Sequence, residues 1–408
     1  MKYKGKIVLS AQAKAMLNLM GIQGFFWFGW SFTNFQTVYL QNNGLTSSDI
    51  GVLNSVSSIV GIFAAAIWGI IADRINSVKK TFIASLVLSA ISIVLMPFLP
   101  AHAKYAVTMF IIYLAAANFV RNPLGTLLDN LTIRNCTDLR LNYGPIRAFG
   151  SLTFTVGSAL GTMILQYIDV KWTFWITGVL MIPPILCVCS ARDPKISKPP
   201  RQKGDKSDVK ALFGNYYYIT FLIFAVILYV PLSTEGAFIT FLMAENGIPN
   251  TNFGLFNAVR AMLEIPFLFF IAKIRQKIRL KYIVMTACTL MGTECLLLGL
   301  FADTFPKILI FACCYGLGSG LFIGSVSMYV YKLAPDSLKA SAQSFYAAVV
   351  SAASILGHLI GGFAFDALGG SVFYVVIGSA VIFAVGLFGL SHILGRAKGL
   401  HNPADILC

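Results

Sequence analysis

The chain has 408 residues, 57% of them hydrophobic and only 12% charged, whereas soluble domains run nearer half apolar and a quarter charged. So few charges cannot cover a globule of this size with ionic surface, which excludes a soluble enzyme, a disordered chain and a disulfide-stapled one. The net charge of +15 raises nucleic acid as a partner until the basic residues are placed.

Twelve apolar stretches follow in order, at about 15–40, 48–72, 79–99, 104–128, 144–168, 172–190, 214–243, 250–272, 281–301, 306–331, 338–365 and 370–394. Their runs are continuous rather than alternating, and a backbone in lipid must satisfy its own hydrogen bonds, so each predicts a helix. Span 1 follows the basic head Met1–Lys14 and is interrupted by Asn34 and Gln36. It lacks a small-residue cleavage pattern, so it reads as a membrane helix, not a removable signal. The expected fold is an all-α membrane protein of twelve transmembrane helices in two pseudo-symmetric six-helix bundles.

Of the 31 Lys and Arg residues, Lys104, Lys171 and Lys307 fall on one side, Arg121 and Arg260 fall inside spans, and all the others fall on the side of the termini. By the positive-inside rule both termini are cytoplasmic, in a plasma or inner membrane. The basicity is topological, and nucleic acid drops out as a partner. The stretch 191–213 gathers Lys, Arg, Asp, Pro and Gly. It reads as a cytoplasmic linker between an N-terminal bundle, 1–190, and a C-terminal bundle, 214–408.

The halves repeat at an offset near 200. Gly51, Asn54 and Val56 near the start of span 2 recur in register as Gly254, Asn257 and Val259 in span 8. Gly157 and Gly161 in span 5 match Gly357 and Gly361 in span 11. Small residues four apart let helix backbones approach closely. Repeated halves with a midplane site between them are the plan of many secondary transporters.

Two motifs carry a family resemblance. Gly69-Ile-Ile-Ala-Asp73-Arg74, followed by Lys79-Lys80, resembles the span 2–3 signature of the major facilitator superfamily, with Asn76 where that signature has its second Gly. Asn tolerates left-handed backbone geometry, so the turn is expected to survive. The resemblance implies that Gly69, Asp73, Arg74, Lys79 and Lys80 form a conformational latch, with Asp73 near a facing helix N-terminus. Pro123 with Leu127-Leu128-Asp129, then Tyr143-Gly144-Pro-Ile-Arg147-Ala-Phe-Gly150-Ser151, resembles the oligosaccharide:proton symporter group, which includes lactose permease and nucleoside and phenylpropionate transporters.

In lactose permease an acid and an Arg at the same eighteen-residue spacing hold sugar hydroxyls, so the resemblance makes Asp129 and Arg147 substrate-site candidates. Their chemistry agrees, because Arg offers a planar donor fork and a carboxylate accepts in pairs. Arg260 and Glu264, four apart in span 8, lie on one helical face and are expected to pair or to face a wet cavity. Arg121 in span 4, Asn34 and Trp30 in the aromatic span 1, and Phe154, where the sugar permease has a stacking Trp, complete the expected substrate site. Phe154 tilts the expectation from sugar toward another apolar-polar solute. Glu264, Glu235 and His358 are the proton-coupling candidates. Asp129, Arg147, Arg260 and Glu264 are expected to converge on one watery chamber. Span 10 lacks the membrane Lys, His and Glu of lactose permease, so its proton machinery is not reproduced residue for residue.

No P-loop, HExxH or metal-ligand spacing occurs, and the eight cysteines include no CxxC, so no metal, no cofactor and no enzyme activity are expected. The reading is a monomeric carrier in the lipid bilayer, taking up a small hydroxylated or carboxylated solute such as a sugar, nucleoside or aromatic acid by proton-coupled symport. Sodium coupling stays open. The rivals are an exporter of the same fold and a non-transporting membrane sensor.

Overall fold

A computed structural model of the chain describes residues 11–100, 105–193, 210–335, 338–400 and 402–405. Lys2, Lys4, Lys6, Lys104 and linker residues 194–209 lie outside this set. Among the described residues there is no strand, and twelve helical segments occupy the twelve expected stretches. They are α1 (Ala11–Ser31, the 3-10 turn Phe32–Phe35 and Gln36–Asn42), α2 (Ser47–Ile75), α3 (Val78–Leu95), α4 (Ala106–Arg121 and Leu124–Leu139), α5 (Tyr143–Ile164) and α6 (Trp172–Leu180 and Ile182–Ser190). After a short turn of helix at Lys210–Phe213 come α7 (Tyr216–Glu245), α8 (Phe253–Lys277), α9 (Leu280–Phe301), α10 (Phe305–Leu333), α11 (Lys339–Leu368) and α12 (Gly370–Ala397).

Local chemistry sets several ends. Thr46 and Asp49 form a capping box at the start of α2, each side chain accepting the other's backbone N–H. Asn76 ends α2 at φ 54°, the left-handed geometry that the Gly-to-Asn exchange had to allow. Proline breaks α4 at Asn122–Pro123, because its ring removes a donor and clashes with the preceding turn. Beyond the break α4 runs to Leu139, eleven residues past the expected 128, because the polar stretch after Asp129 still packs Leu131 and Cys136 inward.

Nine segments are long and apolar enough to cross a membrane among the described residues. The other three, α1, α5 and α8, carry some of the polar residues that the sequence assigned to a site, among them Asn34, Arg147, Arg260 and Glu264. Large apolar side chains such as Ile62, Phe63 and Ile67 of α2 and Phe383, Leu390 and Ile393 of α12 point outward, a surface suited to lipid and not to water.

The glycine pairs do the same work in both halves. A Cβ on Gly157 or Gly161 of α5 would strike α1 at Phe28 and Phe35, and one on Gly357 or Gly361 of α11 would strike α7 at Val230 and Thr234. Thus α5 packs on α1 as α11 packs on α7, which is the pseudo-symmetry the repeat predicted.

The buried apolar residues fall into three clusters. One joins Leu19, Phe26, Phe82, Leu128 and Ile146, all before the linker. A second joins Tyr218, Phe221, Val284, Tyr329 and Phe388, all after it. Both lie toward the end of the molecule that bears the termini. The third lies toward the opposite end and draws on both halves, with Phe35, Val38 and Leu53 packed among Phe238, Phe256 and Phe365. The halves therefore share a core at the far end and keep separate cores at the terminal end.

Polar contacts seal the far end. Asp366 of α11 accepts from the Ser48 backbone N–H at 2.9 Å and from the hydroxyls of Ser47 and Ser48, capping the N-terminus of α2 from the other half. Ser55 donates to the Ile355 carbonyl at 2.9 Å, and the Leu255 N–H donates to Thr162 Oγ1 at 2.8 Å.

Candidate functional site

Three of the cavities among the described residues hold candidate site residues. The first, about 610 Å³, is walled mainly by α7, α8, α10 and α11, with Phe154 of α5 closing one side. The second, about 510 Å³, lies between α1 and α4. The third, about 360 Å³, bridges the halves, with Arg147 and Ser151 of α5 on one wall and Glu264 and Ile265 of α8 on the other.

Asp129 and Arg147 are brought together. Arg147 Nε stands 3.6 Å from Asp129 Oδ1, both side chains about one-third exposed. The guanidinium lies 4.6 Å above the Trp27 ring, and its Nη1 donates to Ser151 Oγ at 3.1 Å. Gln23 organises this pair. Its amide donates to Asp129 Oδ1 at 3.3 Å and Thr132 Oγ1 at 3.0 Å, while its carbonyl accepts from Trp27 Nε1 at 2.9 Å. Sequence reasoning did not single out Gln23. Its signal was an isolated amide four residues before Trp27, on the same helical face.

Arg260 and Glu264 do not pair. Arg260 instead donates to two other carboxylates: to Glu235 through Nη1 at 2.9 Å and through Nη2, and to Glu294 through Nε at 3.1 Å and through Nη2. Phe256 and Tyr315 sandwich the guanidinium at 3.9 and 4.0 Å. Glu235 is 1% exposed and Glu294 is wholly buried. Spacing four along one helix was outweighed by acids supplied from α7 and α9, which enclose the fork on both edges. Glu264 is left half-buried and, among the described residues, accepts from Ser319 Oγ at 3.3 Å.

Among the described residues Arg121 has neither Asp129 nor any other acid as partner. The Pro123 break separates the two on α4, and Arg121 Nη1 donates to Gln36 Oε1 at 2.7 Å. Trp30 and Asn34 join Arg121 around the α1/α4 cavity, and Asn34 also donates to Ser158 Oγ at 3.3 Å. His358 and Phe154 line the first cavity, and His358 Nδ1 has no partner there. The four charges expected in one chamber are thus distributed. Arg147 and Glu264 face the bridging cavity, Arg260 and Glu264 face the first, and Asp129 touches its chamber through Arg147.

Of the expected latch residues, Asp73 and Arg74 are exposed at the terminal end. The acid that meets the start of α3 is Asp193, which accepts from the N-cap hydroxyl of Ser77 at 2.5 Å. Lys79 donates to the carbonyls of Cys189 and Ala191 at 2.7 Å each, tying α3 to the end of α6, while Gly69 and Lys80 are exposed.

These features meet in one known architecture. The sequence profile of the MFS_1 like family matches residues 19–376. The chain belongs to this family, within the major facilitator superfamily. It is 26% identical over 373 residues to the uncharacterized transporter YwbF of Bacillus subtilis (strain 168), covering 88% of this chain and 89% of that one. It is 23% identical over 343 residues to the maltose permease of Geobacillus stearothermophilus, covering 83% and 84%. The crystal structure of the nucleoside transporter NupG shares the fold, with a TM-score of 0.77 at 17% identity over 93% of this chain and 99% of that one. The protein is a multi-pass membrane transporter of the major facilitator type, not an enzyme.

Proposed function

We propose that the chain is a proton-coupled uptake symporter for a small hydroxylated or carboxylated solute, working by alternating access with both termini in the cytoplasm. One observation carries this reading. Arg147 from one half and Glu264 from the other face a single cavity of about 360 Å³, so one solute can touch both bundles at once. A solute held that way couples the relative position of the halves to its own binding.

With cytoplasmic termini, the shared far-end core and the separate terminal-end cores describe an inward-facing carrier. Arg147, steadied by Asp129, Gln23 and Trp27, offers a fixed donor fork to hydroxyls or a carboxylate. Maltose and nucleosides, the cargo named for two relatives, both present hydroxyls of this kind. Glu264 carries the coupling proton, because among the described residues no Lys or Arg is ion-paired to it and it faces both cavities. Glu235 and Glu294 instead fix Arg260, and His358 is a second proton stop on the first cavity. Solute and proton must each favour one state, since equal affinity for both shifts nothing.

The test is substrate-dependent alkalinisation outside energised cells or vesicles, screened over sugars, nucleosides, aromatic acids and peptides. One class is expected to accumulate and to move the pH. Glu264→Gln is expected to lose energised accumulation while keeping downhill exchange. If no solute accumulates or moves the pH, proton symport is wrong, and accumulation driven by an inward sodium gradient alone would put sodium in the place of the proton.

A further inference from the structure

The α1/α4 cavity holds a charge that this cycle leaves without a role. Arg121 lies at the last turn before the break in α4, near the middle of the stretch 106–139 that is apolar enough to cross a membrane. Gln36 clamps its Nη1. Its Nε and Nη2, both shielded from solvent, donate to nothing in the structure described. No Asp or Glu lines the cavity, whose wall is built from rings such as Trp27, Trp30 and Phe253 and amides such as Asn34 and Asn118. The other two arginines of the interior are compensated, Arg147 by Asp129 and Arg260 by two glutamates. An uncompensated guanidinium inside a membrane protein is costly to keep. Amides solvate it but do not neutralise it.

The two idle nitrogens are not a random pair. Nε and Nη2 share one edge of the guanidinium, and their parallel N–H bonds match the two oxygens of a carboxylate. Gln36, by holding Nη1, leaves that edge as the free one. Arg121 lines the cavity, and binding there requires that edge to turn toward it.

We propose that Arg121 is the receptor for a carboxylate on the transported solute, with the rest of the solute a flat apolar body along the aromatic wall of α1 toward Trp27, whose ring also lies 4.6 Å under the Arg147 guanidinium. The proposal rests on the transport reading above and narrows its solute to organic monoanions. One guanidinium neutralises one charge, so a phosphate dianion would leave a net charge in the membrane interior, and a neutral sugar would leave Arg121 unpaired. The amides of Asn34 and Asn118 stand beside it for one further polar group on the solute.

The experiment is a thermal shift on the purified full-length protein with 3-phenylpropionate, its neutral amide, benzoate, glucose 6-phosphate, maltose and uridine. The carboxylates are expected to raise the melting temperature, with the amide needing about 100-fold more ligand, the scale of losing one partner of a shielded charge pair. Arg121→Gln is expected to abolish the advantage of acid over amide, and Arg121→Lys, which keeps charge without the fork, to retain part of it. The acid–amide comparison uses the unmodified protein, so a variant that fails to fold does not decide the matter. Equal shifts for acid and amide, no shift with either carboxylate, or stabilisation by maltose, uridine or glucose 6-phosphate alone would overturn the assignment.

Transport separates the two levels. A carboxylate that binds through Arg121 but neither crosses proteoliposomes nor moves the pH sinks the symport and leaves the anion site standing. A neutral solute that accumulates with alkalinisation in Arg121→Gln leaves the symport and sinks the anion site.

Discussion

Arg260→Met removes the fork at the centre of the buried triad while keeping an unbranched apolar side chain in its place. The wild-type guanidinium is 8% exposed and joins Glu235 and Glu294, which are nearly inaccessible. Its loss strands two carboxylates in a dry site. Breaking a buried ion pair from one side costs about 3–5 kcal/mol, because the remaining charge is left unpaired. Loss of the sandwich between Phe256 and Tyr315 adds about 0.5–2 kcal/mol. Proton uptake by the stranded acids offsets part of this, so a net loss of about 3–5 kcal/mol is expected. At about 2 °C per kcal/mol, the low end for larger domains, the melting temperature in detergent should fall by about 6–10 °C. Adding Glu235→Gln and Glu294→Gln should restore most of it, since neutral groups of the same shape carry no stranded charge. A single variant that melts like the wild type, or a triple variant no more stable than the single one, would refute the charge-balance argument.

The remaining predictions separate the site from the scaffold. Arg147→Ala and Asp129→Ala should each abolish uptake while changing stability by under about 1 kcal/mol, because the pair is partly exposed and 3.6 Å apart. Normal uptake in either variant, or a large fall in melting temperature, would make the pair structural. Asp366→Ala should loosen the far end, because hydrogen bonds to a charged group are worth about 1.5–3 kcal/mol. Labelling of Ser55→Cys, buried between α2 and α11, by a membrane-impermeant maleimide should then rise by about 10- to 100-fold, and an unchanged rate would show that Asp366 does not hold this end shut. Gly362→Ala should raise the same labelling by another route, because its Cβ would fall 2.6 Å from the Ser47 carbonyl and 3.1 Å from the Gly51 Cα. If Ser55→Cys stays protected in that variant, the close approach of α2 and α11 is not what closes the end.

The helices were legible in the sequence because lipid imposes one rule on every span: bury the backbone in its own hydrogen bonds and cover it with apolar side chains. That rule is local, so twelve stretches and the left-handed turn at Asn76 could be read residue by residue, whereas the break of α4 at Pro123 came from the structure. The glycine pairs of α5 and α11 were legible for a related reason, since a missing Cβ matters only where another backbone comes close. The partners of the charges were another matter. Among the described residues Arg260 chose Glu235 and Glu294 over Glu264, Arg121 took the amide Gln36 and no acid, and Asp193 met the start of α3. Each choice depends on how far apart residues from different helices lie after packing, and a carboxylate on a neighbouring helix competes on equal terms with one four residues away. Which end of the molecule is closed is decided in the same way, by the packing of α2 on α11 and α5 on α8. Composition and continuous apolar runs determined that this chain lives in a membrane as twelve helices; only the assembled bundle decided which charges are paired among the described residues and at which end the two halves share a core.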